Sequence, residues 1–321
     1  MLAEKRHVEE LWGSVVRKLP VIAILTAALA CSLPSAAVQQ SGQKTYSSAE
    51  EASQALVEAL KANDEAALLR ILGPDGKEII SSGDAVEDKS NRAEFVEKYQ
   101  RMHRLVIEPD GTATLYIGAE NWPTPIPLVH KGGSWYFDTA AGKQEILYRR
   151  VGRNELAVIQ VCHELVDAEK EYYAQPHDGD PGKEYASKLF SDSHKHDGLY
   201  WEAGPGEPES PIGPLLASAA AEGYTHEPSG EPQPFQGYFF QILTRQDGKA
   251  PGGARSYIVD GKMTGGFAFL AYPAEYRSTG VMTFIVDQDG TVYEKDLGHN
   301  SAKIAKAMTA YDCDSTWHNA D

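Results

Sequence analysis

Only a few groups in this sequence stand at spacings that do chemistry. His194-Lys-His196-Asp197 is the densest of them. Two imidazoles one residue apart can chelate zinc or copper, and the adjoining carboxylate can join them. His177 and His226 lie nearby in sequence. His163-Glu-Leu-Val-Asp167 is near a zinc-protease pattern with Asp in place of the second His. Positions 163 and 167 share a helical face, yet spacing assigns no third ligand. Asp287-Gln-Asp289-Gly290 opens like a calcium loop, lacks the bidentate Glu at the required offset, and reads as a hairpin turn. There is no Gly-x-Ser-x-Gly elbow, P-loop or dinucleotide fingerprint, and Gly252-Gly253 and Gly265-Gly266 suit turns. The sequence therefore calls for no cofactor, and its metal candidates are His194, His196 and Asp197. Trp122, Trp135 and Trp201 either line a ligand cleft or fill the core.

Three cysteines are too few for a disulfide-dense miniprotein or a four-cysteine zinc site. Cys31 follows Ala28-Leu-Ala, which is close to a lipoprotein box with Ala at the usual Leu position. Arg17 and Lys18 precede an apolar run, Leu19–Leu33, and Ser35-Ala36-Ala37 supplies small residues for cleavage. That is a secretory signal peptide with cleavage after Ala37. Lipidation at Cys31 is the lesser alternative. Export puts the remaining Cys162 and Cys313 in an oxidising compartment, where one pairing is open to them. A bridge needs the closing helix to fold back onto the long one; otherwise both act as small buried hydrophobes.

The chain has 321 residues and a net charge of −16, from 30 basic and 46 acidic side chains. An acidic chain repels phosphate backbones, which argues against nucleic acid as a partner. The elements that must position the candidate residues fall into two groups. After residues 1–37 and a polar lead, 38–45, residues 46–140 read as helices followed by paired short strands. Ser47 or Ser48 caps the first helix and Asn91 the third, which carries Phe95, Val96 and Tyr99. Hairpins turn at Glu108–Gly111 and at Lys131-Gly-Gly133.

Residues 141–321 open with a long helix over 141–174. Ile146, Leu147, Val151, Leu156, Ile159, Cys162, Leu165 and Val166 are expected on its apolar side. A Pro- and Gly-rich stretch, 176–236, contains a helix over Leu215–Ala221. Strands follow at Tyr238–Leu243, Gly266–Tyr272, Val281–Val286 and Thr291–Lys295, and a helix over Ser301–Tyr311 closes the chain. The expected fold class is α+β, as two domains with helices packed on antiparallel sheet. The first is loosely similar to the nuclear transport factor 2 fold. The second is loosely similar to type IV pilin and pseudopilin heads, although no prepilin peptidase site precedes its helix.

Longer strings carry a closer resemblance. Glu120-Asn-Trp-Pro-Thr-Pro-Ile-Pro-Leu128, Trp135-Tyr-Phe-Asp-Thr-Ala-Ala-Gly142, Arg149-Arg-Val-Gly-Arg-Asn-Glu-Leu156, Ala250-Pro-Gly-Gly253 and Met263–Tyr276 resemble the bacterial domain of unknown function 2950 (DUF2950) family. The resemblance implies an exported bacterial protein and carries over no catalytic residue. The expected function is a non-enzymatic periplasmic or envelope-associated binding module, with an envelope protein or small ligand as partner and no membrane span in the mature chain. A hydrolase built on acid/base residues of 176–236 is the alternative, and a pilin-like surface-assembly component is a third.

Overall fold

The helices begin where short polar side chains can satisfy their first amide groups. In a computed structural model that describes residues 39–204, 206–224 and 233–321, Ser48 caps α1 (Ala49–Lys61) by accepting from Glu51 N at 3.1 Å. The Glu51 carboxylate reaches back to Ser47 N at 3.0 Å, a reciprocal capping arrangement. Asp64 caps α2 (Glu65–Leu72) through Ala67 N at 2.9 Å. A short α3 (Lys77–Ile80) follows. Asp84 caps α4 (Ala85–Arg101) through Val86 N and Glu87 N. This helix starts well before the expected cap at Asn91, because its first two turns bury Glu87, Asp88 and Arg92 in place of apolar residues.

Five strands follow: β1 (His103–Ile107), β2 (Ala113–Ile117), β3 (Trp122–Pro123), β4 (Leu128–Lys131) and β5 (Ser134–Phe137). The sheet order is β1-β2-β4-β5, with β3 paired to β2 and every pairing antiparallel. Gly132 and Gly133 hold φ of 64° and 82°, as a two-residue hairpin turn requires. Along β2, Ala113, Leu115 and Ile117 are buried and the residues between them are half-buried, the period of a one-sided sheet. Ala113, Leu128 and Phe137 share an apolar cluster with Leu56 of α1 and Leu68, Ile71 and Leu72 of α2.

Helix α5 (Thr139–Ala174) carries the chain from this cluster to a second one. Ile146 lies against the first cluster, and Val158, Cys162, Leu165, Val166 and Tyr172 belong to the second. After an irregular stretch, α6 (Gly213–Glu222) begins on Pro214 and ends at Gly223 in the left-handed region. Then come β6 (Tyr238–Leu243), the ribbon β7 (Arg245–Gln246) with β8 (Arg255–Ser256), and the ribbon β9 (Ile258–Val259) with β10 (Lys262–Met263). β11 (Ala268–Pro273), β12 (Met282–Asp287), β13 (Val292–Asp296), α7 (Ser301–Ala307) and β14 (His318–Asn319) complete the chain.

The second sheet has the order β14-β13-β12-β11-β6, all antiparallel. Its interior strand β11, between β12 and β6, is buried at every position, because α5 and α7 both pack on it. That double cover explains a continuous apolar run where a one-sided strand would alternate. Helix α7 is shorter than the expected Ser301–Tyr311. Met308 leaves helical geometry and its carbonyl accepts from Gln241 Nε2 at 3.1 Å. The whole is α+β, with helices on antiparallel sheets. The signal segment, Cys31, the cleavage position Ala37 and His226 lie outside the described residues.

Candidate interaction surface

The residues whose spacing suggested a metal are engaged separately. Asp197 accepts from Lys188 at 2.8 Å and from Lys195 at 3.5 Å. The same lysines hold the Asp192 carboxyl down at about 2. His196 turns to Asp178, donating its backbone N–H at 2.9 Å and placing Nδ1 at 3.1 Å, while its ring meets Trp201 edge-on. His194 is exposed at φ 63°. His177 stacks on Tyr172, and its Nε2 sits 2.9 Å from the Tyr172 carbonyl. His163 pairs with Asp321 at 2.9 Å, whereas Asp167 faces Lys170. Among the described residues no group of three or more His, Cys, Asp or Glu is placed to hold a metal. Asp287 accepts from Asp289 N and Gly290 N in a turn. Of the three tryptophans, Trp201 is buried, Trp135 half-buried and Trp122 exposed.

The interior charges hold the chain together along one polar seam. Asp84 accepts from Tyr224 Oη at 2.8 Å and Gly237 N at 3.0 Å with the oxygen that does not cap α4. Glu87 accepts from Arg153 at 2.8 Å and from Asn154 at 3.1 Å. Asn154 also donates to Thr279 O. Arg150 donates to the carbonyls of Glu78 and Ile79 at 2.8 and 2.6 Å. Glu155 accepts from Val281 N and Met282 N at 2.8 and 2.9 Å. Burial pushes Asp88 up and Arg150 down, and each opposes the other's shift across the seam. A side chain at Gly237 would sit 2.6 Å from Asn154, and one at Gly280 would sit 1.9 Å from Tyr238 Oη. Periodicity does not reveal this seam. Its one signal in the sequence is the string Arg149–Leu156, which supplies Arg150, Arg153, Asn154 and Glu155.

Three further buried groups lie beyond the seam. Glu169 on α5 is 0 % exposed; one oxygen accepts from Ala186 N at 2.9 Å and the other has no partner. Burial pushes its carboxyl well above the usual range. Cys162 and Cys313 are both buried free thiols, and burial pushes Cys162 up to about 12.

The outward face of α5 differs from this buried interior. Tyr148 is 66 % exposed and Leu156 is 72 % exposed. Leu156, expected on the apolar side of the long helix, faces solvent because Val158 takes the buried phase, about 160° round the helix. Between them Gly152 has nothing within 4 Å of where a Cβ would stand. Glycine inside a helix costs about 0.5–1 kcal/mol relative to alanine, and among the described residues no packing requires it here. Glu145 and Arg149, the charges beside these residues, pair with each other at 2.7 Å. The Arg149 guanidinium lies 4.9 Å from the centre of the exposed Trp122 ring, and Lys98 lies 6.0 Å from it. The fold thus brings the strings 120–128 and 149–156 side by side. An uncovered Tyr, Leu, Trp and Arg around bare backbone is chemistry for recognition, since aromatics and Arg dominate protein interfaces.

No curated protein and no solved structure matches this chain, so the likenesses to pilin heads and to the nuclear transport factor 2 fold gain no counterpart there. The strings that resemble a family all fall within the span matched by that family's model. The model, described as Protein of unknown function (DUF2950), matches residues 43–320, nearly the whole chain, and the protein belongs to that family.

Proposed function

We propose that the protein is exported and serves as a non-catalytic interaction module, engaging a protein partner through the outward face of α5. The observation that carries this is the uncovered pair Tyr148 and Leu156 flanking Gly152 on a helix whose other large apolar side chains are mostly buried. Export is supported by Arg17 and Lys18, the apolar run and Ser35-Ala36-Ala37, and by a family match that begins after Ala37. Intact mass of the protein recovered from the cell envelope is expected to start near Val38; a lipidated Cys31 is the competing result. The interaction is tested with a photo-crosslinking residue at 156, and at 58 on α1 as control. Adducts are expected at 156 and not at 58. Absence of adducts at 156 in intact cells overturns the reading.

One observation favours the hydrolase alternative. Asp178 orients the His196 imidazole, the arrangement a general base needs. If that pair is catalytic, Asp178→Asn lowers hydrolytic turnover of model ester or amide substrates without lowering the unfolding midpoint. Absence of such turnover in the unmodified protein removes the alternative.

A further inference from the structure

Residues 176–201 form no helix, and their one strand-like feature is a bridge between Phe190 and Tyr200. Yet this stretch covers the end of α5. Its Ala186, Leu199 and Trp201 are buried in one apolar cluster with Leu165 and Tyr172 of the helix. Tyr172 Oη donates to His196 O at 2.6 Å. The stretch also supplies the one bond made to Glu169, from Ala186 N at 2.9 Å; that carboxyl is 0 % exposed, and its second oxygen meets no partner. A neutral carboxyl there leaves a hydroxyl unbonded. A carboxylate leaves a charge with neither water nor a cation, which costs far more. We propose that Glu169 is a pH-sensitive latch. While its carboxyl holds a proton, the stretch stays seated on α5. When the proton leaves, the Ala186 bond gives way, residues 176–201 lift, and water reaches the carboxylate.

The surroundings offer an ionised Glu169 no relief. Its titratable neighbours are Tyr172 on α5 and Tyr185 on the stretch, and neither carries positive charge. Glu184, Asp178 and Asp197 face Tyr172 and add only negative charge. Lys188 and Lys195 are taken up by Asp192 and Asp197, and Lys262 of β10 by Asp180. His177 stacks on Tyr172, and on the sheet side the apolar Phe267 ring packs 4.9 Å from Tyr185. Among the described residues no cation acts on the Glu169 carboxyl; burial raises it, and the Ala186 bond opposes that only in part. Little else ties the stretch down. Tyr185 N donates to Met263 O at 2.8 Å, and Lys262 holds Asp180. Segments held this thinly open at lower free energy than core strands. Lifting uncovers Tyr172 and Phe267, both buried in the seated state. The chain thereby gains a second apolar surface at high pH, independent of the outward face of α5.

Hydrogen exchange of the full protein as recovered from expressing cells tests this, followed from about pH 5 to 8 and divided by the intrinsic rate at each pH. Protection of the stretch is complete below the ordinary carboxylate range and is lost as pH rises toward the raised value. Amides of 176–201, Ala186 first, are expected to lose protection by up to about tenfold per pH unit, while Leu165 on α5 and Leu270 on β11 keep theirs. Glu169→Gln retains an acceptor for Ala186 N–H and has no proton to lose. It is expected to hold the protection of the stretch level across the range. Should that variant fail to fold, dilute urea decides on the parent. Lifting of the stretch exposes little surface and responds weakly to urea, whereas unfolding of the whole chain responds strongly. The proposal is overturned if the stretch keeps its protection at every pH, or if parent and variant lose it alike. It is also overturned if Leu270 loses protection in step with Ala186, because Glu169 then acts on the whole fold and no separate latch exists.

Discussion

Replacing Glu169 by Gln should stabilise the protein, and by more as the pH rises. The carboxyl is fully buried, one oxygen bonds to Ala186 N, and the other meets no partner. Burial raises it well above the usual carboxylate range, so the folded chain keeps a proton that the unfolded chain releases. Where the folded state binds more protons, unfolding free energy falls as pH rises. The fall begins at the ordinary carboxylate pKa and ends at the raised one. Below that window the full stability is present, and above it the penalty is complete. Inside the window one proton gives a slope of about 1.4 kcal/mol per pH unit. Gln keeps the shape and the acceptor for Ala186 N–H and has no proton to lose. Urea unfolding of both proteins between about pH 4.5 and 8 measures the difference. Asp88, Asp287, Glu222 and Glu294, also raised by burial, are common to both and cancel. The variant should gain on the parent by up to that slope as pH increases. Equal slopes would mean that Glu169 is ionised in the fold, and the reasoning from burial fails.

The other expectations come from packing and from the seam. Arg150→Ala strands the carbonyls of Glu78 and Ile79 and removes one of the two cations near Asp88, leaving Arg92, and should cost about 3–5 kcal/mol in chemical denaturation. Leu165→Ala should cost about 2–5 kcal/mol, while Leu156→Ala should stay within about 0.5 kcal/mol; equal costs would contradict the helix phase. Gly280→Ala drives a methyl into Tyr238 Oη and should destabilise by at least about 1–3 kcal/mol. Cys162 and Cys313 should react with a thiol reagent only after unfolding, without prior reduction; a requirement for reductant would show that they pair in the exported protein.

Local rules made much of the architecture readable from residues. Ser48 begins α1, Gly132-Gly133 turns the β4–β5 hairpin, and the strands of the second sheet fall close to their apolar runs. What stayed hidden depends on partners distant in sequence. The first turns of α4 look solvated because they are charged, yet Glu87, Asp88 and Arg92 are buried against residues from elsewhere in the chain. The apolar stripe of α5 was read as one face. The helix serves two clusters in turn with one buried phase, through Leu147, Val151, Asn154, Val158, Val161 and Leu165, and Leu156 stands on the opposite side of it and is left outside. Gly152 is a costly residue inside a helix, and its lying open between exposed Tyr148 and Leu156 depends on the packing of the rest of the chain. The His194–Asp197 cluster was the opposite case. Its spacing suggested a shared ligand, and the loop fold spends Asp197 on lysines and His196 on Asp178.

The claim that the outward face of α5 is a protein contact is tested most directly by hydroxyl-radical footprinting of Tyr148 and Leu156. The same labelling is done on dilute purified protein and on protein in the intact cell envelope. Both side chains should oxidise readily in dilute solution, as their exposure requires, and should be protected in the envelope relative to exposed Ile107 on β1. Equal labelling of Tyr148 and Leu156 in the two states would show that nothing covers this face and would contradict the account.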